Sequence, residues 1–79
     1  MSVEEVNEIL DTVRQGYGAR LEFSESTVLL VPEGGEVIAR VITDGDSWDL
    51  DEDDAQSLLW GTSESPNLSW RDPSSEPLD

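Results

Sequence analysis

Between Asp44 and Asp54, seven of eleven consecutive residues are carboxylates and none is a base. So dense a run of like charge belongs at the surface, so whatever encloses a core must be built around it. Gly45, Trp48 and Leu50 punctuate the run, and Ala55, Leu58, Leu59 and Trp60 follow it. That punctuation predicts a turn, a short strand and a helix start. The acids are then expected to ride on ordered backbone, with Trp48 and Leu50 turned inward.

The rest of the chain supplies the scaffold. Val3, Val6, Leu10 and Val13 recur at helical spacing with Ile9 widening the stripe, predicting an amphipathic helix over 2–15. Ser2 with Glu5 makes a capping box, and Gly16 is a stop. Glu4, Glu8 and Asp11 fall on the outer face of that helix. From Ala19 the period becomes two: Ala19, Leu21 and Phe23 alternate with Arg20, Glu22 and Ser24, as a half-buried strand requires. After a turn at 24–26, the run 27–31 is apolar on both faces, predicting a central strand or one covered twice. Pro32-Glu33-Gly34-Gly35-Glu36 is a hairpin signal, 37–43 the longest strand, and Asp44-Gly45 a second hairpin of the type I′ class. Asp51 is a good N-cap for a second helix ended by Gly61.

These elements predict an α+β fold: an N-terminal helix, a three- or four-stranded antiparallel meander, a short second helix and a flexible C-terminal tail. Residues 1–60 form the single domain and 61–79 a Ser/Pro/acidic tail, in which Leu68 and Trp70 either dock on the domain, anchor a partner or do nothing. At 79 residues the core is modest, with a radius of gyration of about 12 Å.

Nineteen acids against four arginines and no lysine give a net charge of −15. This charge opposes direct binding to nucleic acid or to an anionic membrane. It also strains the compact state, because screening over about 8 Å at 0.15 M salt is only partial across such a body. Without cysteine there is no disulfide and no thiolate zinc site. The start Met1-Ser2-Val3-Glu4-Glu5 has no basic segment and no apolar run, so an intracellular, cytoplasmic location is expected.

Chemistry is sparse. An EF-hand loop needs glycine at position 6 and glutamate at position 12; counting from Asp44 these are Asp49 and Ala55, and from Asp49 they are Asp54 and Trp60. Both registers fail, so no metal site is expected. With no His, Cys or Lys the usual bases and nucleophiles are missing, and no enzyme and no cofactor are expected. What is left is geometric. Duplex DNA presents a charge every 3.4 Å or so per strand. Carboxylates two apart on a strand stand about 6.6 Å apart, and those three or four apart on a helix about 5–6 Å. Asp49, Asp51, Asp53 and Asp54, with Glu52, are expected to form such a row, extended from the hairpin tips by Asp44, Asp46, Glu33 and Glu36. A basic groove made for phosphates would accept it, with charge-steered, salt-sensitive association. Trp48 and Trp60 are either core residues or, where part-exposed, aromatic anchors.

In size, charge and element order over 2–60 the chain resembles the small acidic DNA-mimic inhibitors carried by phages and mobile elements, anti-CRISPR and anti-restriction proteins among them. One Cas9-inhibiting anti-CRISPR is similar in running from a short helix through a three-stranded antiparallel sheet to acidic helical structure. The resemblance implies a non-enzymatic inhibitor of a basic-surfaced, nucleic-acid-binding protein; no residue roles carry over. The alternatives are an acidic housekeeping domain of a halophilic archaeon, and an acidic adaptor or antitoxin-like partner.

Overall fold

The computed structural model describes residues 1–71. Helix α1 (Val3–Arg14) leads into strands β1 (Gly18–Glu22), β2 (Thr27–Glu33), β3 (Glu36–Ile42) and β4 (Ser47–Leu50); helix α2 (Glu52–Trp60) and strand β5 (Asn67–Arg71) follow. The five strands form one antiparallel sheet in the order β4-β3-β2-β1-β5. The radius of gyration is 11.7 Å, as the chain length alone requires.

Both helices cover one face of the sheet. Val6, Ile9, Leu10 and Val13 of α1 and Ala55 and Leu59 of α2 are buried against Ala19, Leu21, Val28, Leu30, Val37, Ala39 and Val41. The helices run antiparallel to each other. The Met1 ammonium donates to the Thr62 carbonyl at one end, and Arg14 meets Glu52 at the other. Local signals set the helix ends: Ser2 Oγ accepts from the Glu5 N–H at 3.1 Å, and Asp51 Oδ1 accepts from the Asp54 N–H at 3.0 Å. Val3, expected in the apolar stripe, is instead largely exposed, because it lies before the first turn that reaches the sheet.

Three further expectations are corrected, and one pair of alternatives is decided. The sheet has five strands, since 67–71, assigned to the tail, pairs along β1 with Leu21 opposite Leu68 and Ala19 opposite Trp70. Asn67-Leu68-Ser69-Trp70-Arg71 alternates polar and apolar like any edge strand, and β1 offers it an otherwise unpaired edge. The tail expected at 72–79 lies outside the described residues. Next, β2 is central but covered once: Leu29 is half-buried and Val31 exposed on the face opposite the helices. Phe23 leaves the strand and donates its N–H to the Ser26 carbonyl in the turn. Finally, the Asp44-Gly45 turn has the expected length but not the expected class. Type I′ needs positive φ at both central residues, and only Gly45 has it, at 140°. Gly34 and Gly35, at 61° and 86°, both satisfy that requirement.

Candidate acidic interface

Strand direction decides where the acids go. β4 runs antiparallel to β3 with Ser47 opposite Ile42 and Leu50 opposite Ala39. Asp46, just before β4, and Asp51, just after it, are therefore about 17 Å apart at about 3.4 Å per residue. The row expected from Asp44 to Asp54 is not continuous; it divides three ways.

Asp44 and Asp46 sit in the β3–β4 turn, exposed, at the end of the sheet that also holds the β1–β2 turn with Glu25. Asp49 lies on the face away from the helices, opposite Arg40, which donates from Nε to its Oδ1 at 3.0 Å. That guanidinium holds the Asp49 carboxyl below its ordinary range. Asp49 and Asp51 are thus not neighbours in a row, because the first faces out of the sheet and the second caps a helix.

The remaining acids do converge. The Val37 N–H, at the start of β3, donates to Glu52 Oε1 at 3.3 Å, which brings the Glu33–Glu36 hairpin beside the first turn of α2. Glu33 and Glu36 face each other across the β2–β3 ladder, and Asp51, Asp53 and Asp54 crowd the α2 N-terminus. All five are exposed, and the helix dipole favours the last three where they stand. Glu52 is not available with them. Its carboxylate accepts from Arg14 Nε at 3.3 Å, from Arg14 Nη2 and from Val37, and these bonds lower its pKa, the Arg14 hydrogen bond most. The expectation that Glu52 faces a partner is corrected: it fastens α1 to α2 and β3.

The four arginines are placed as unevenly as the acids. Arg14 is held by Glu52 and by Asp11 at 3.2 Å. The other three lie on the open face of the sheet, where the register sets Arg20, Arg40 and Arg71 among Leu29, Val31, Ile38 and Ile42. Arg20 pairs with Glu22 at 2.9 Å. The strand alternation already puts Arg20 and Arg40 on the side away from Ala39 and Val41, but the sequence assigns that face no role.

Trp48 and Trp60, expected either as core residues or as part-exposed anchors, are 46% and 41% exposed. Trp48 stands opposite Val41 and so does point to the helix side, but α2 does not reach over it. Leu50, as expected, packs against the core. Among the described residues no group of three His, Cys, Asp or Glu side chains is placed to hold a metal ion, and no helix is long and apolar enough to cross a membrane. Comparison of the chain with family models, with curated proteins and with solved structures finds no match in any of the three.

Proposed function

We propose that this chain is a non-enzymatic binding module that presents an anionic end to the phosphate-binding groove of a basic, nucleic-acid-binding protein and so inhibits it. The observation that carries the reading is the convergence of Glu33, Glu36, Asp51, Asp53 and Asp54 on one end of the fold, where Arg14, beside the first turn of α2, is already held by two carboxylates. A hairpin tip, an N-cap and a helix turn hold the backbone that carries these groups, so the ordering cost on binding is confined to side chains. Their charge would speed association with a cationic cavity and make it salt-dependent.

The test uses the chain immobilised against the DNA-binding fraction of a bacterial lysate at two salt concentrations. The reading expects captured proteins that high salt releases and duplex DNA displaces. The variant Glu33→Gln/Glu36→Gln/Asp53→Asn/Asp54→Asn should capture at least about tenfold less, since each tenfold is only about 1.4 kcal/mol shared among four lost charges. Replacing Glu4 and Glu8 with Gln is the control and should matter less. Capture indifferent to DNA and to the four substitutions would end the proposal.

One observation favours the second reading, an acidic domain adapted to concentrated salt. Carboxylates also occupy the opposite end, at Glu25, Asp44 and Asp46, and the outer side of α1 at Glu4, Glu8 and Asp11. Acids distributed in this way need no partner.

A further inference from the structure

Trp48 shares the helix-covered face of the sheet with Val41, yet nearly half of it meets solvent. The cause is the length of α2, which ends at Trp60, so that past the helix only Thr62 and Glu64 of the following loop line the corner where the β1–β2 and β3–β4 turns lie. An open groove of about 280 Å³ results. Buried Val28, Val41 and Leu59 form its floor, with Phe23, Trp48 and Leu58 as walls, Leu58 being 41% exposed. Aromatic and branched walls around a part-open apolar floor are what a single large side chain of a partner seeks.

The rim is acidic and built. Glu64, in the loop after α2, accepts from the Ser24 N–H at 2.8 Å and from the Ser24 hydroxyl at 3.1 Å, which ties that loop across the groove mouth. Glu25 also lines the opening, and Asp44 and Asp46 occupy the adjoining turn. No lining residue is a cation. An anionic guest, a second copy of this −15 chain included, would be repelled.

We propose that this groove docks a cationic segment of a partner protein, taking one aromatic or branched aliphatic side chain between Trp48 and Leu58 while flanking Lys or Arg residues meet Glu25, Glu64 and the Asp44–Asp46 turn. The site lies at the opposite end of the strands from the Glu33–Asp54 cluster and stands on its own geometry. Apolar anchoring would outlast salt, whereas the acidic end would not.

Selection of random 16-residue displayed peptides on the full chain tests it, followed by synthesis and calorimetry of the enriched sequences. Enriched peptides should pair one large apolar residue with neighbouring Lys or Arg. Leu58→Ser should weaken them at least about tenfold, the range of a buried anchor. Trp48→Ser is the second variant, should either fold poorly. Glu25→Lys should weaken them about threefold and flatten the salt dependence, while Asp53→Asn/Asp54→Asn leaves them unchanged. Three results would each overturn the proposal: no enrichment, peptides without cations, or affinities indifferent to both Leu58→Ser and Trp48→Ser. Cationic peptides sensitive only to Asp53→Asn/Asp54→Asn would also overturn it while supporting the acidic end, so the two proposals fail separately.

Discussion

Arg14 and Glu52, 38 residues apart in the chain, form a two-pronged ion pair in which Nε and Nη2 of the guanidinium each donate to one carboxylate oxygen. Glu52 Oε1 accepts in addition from the Val37 N–H, so one side chain joins the end of α1, the start of α2 and the start of β3. Glu52 is about three-quarters covered and Arg14 about two-thirds, so solvent weakens the pair without cancelling it.

Replacing Glu52 with Gln should therefore destabilise the fold despite relieving net charge. Losing the charged acceptor is expected to cost on the order of 1 kcal/mol, a fall in Tm of about 4–8 °C for a domain this size. Glu8→Gln, which removes the same charge from an exposed position four residues from Glu4, should leave Tm unchanged or slightly raised. Circular dichroism melts of the two variants at pH 7 decide the point; a higher Tm for Glu52→Gln would show that repulsion outweighs the tie.

The same pair sets a pH dependence. Glu52 has a lower pKa folded than its ordinary 4.5, so the folded state binds fewer protons there than the unfolded chain. Its contribution is complete above about pH 5 and disappears as pH falls below 4.5 and through the lowered folded value. The stability gap between the wild type and Glu52→Gln should hold constant from pH 8 to 5 and close on further acidification. A gap that widens in acid would contradict the assigned bonds.

Salt separates the two functional readings. Repulsion among the exposed acids should make Tm rise between 0.1 and 1 M KCl, then level off, since screening is nearly complete once the Debye length is about 3 Å. The inhibitor reading requires a folded chain at 0.15 M. Melts that show no cooperative transition below 1 M, or a Tm still climbing toward 3 M, would give the salt-adapted domain the advantage.

Removing residues 67–79 should do more than trim an end. β5 covers the edge of β1 along five residue pairs, and without it that edge presents unpaired N–H and C=O groups. A chain ending at 66 should lose about 2 kcal/mol or more, on the order of 10 °C in Tm, and associate with itself in sedimentation velocity as concentration rises. An unchanged, monomeric truncation would show that the edge pairing contributes nothing.

The sequence alone settled the α+β class, the first helix with its Ser2 cap, the meander through Leu50 and the cap at Asp51, because each rests on contacts within a few residues: a period of 3.6 or 2, a capping oxygen, a turn glycine. It also showed that the acids must lie outside. Which of them would share a surface it did not decide. Asp49 and Asp51 are two positions apart in the chain but on different surfaces, since the strand ends between them, while Glu36 and Asp54 share one end because β3 and α2 happen to start side by side. Glu52 reads as one more surface acid until Arg14 is seen beside it, and Leu68 and Trp70 read as tail until β1 supplies an edge. Such facts depend on where distant segments meet. Periodicity reports only which side of its own element a residue occupies; packing between elements decides what that side faces.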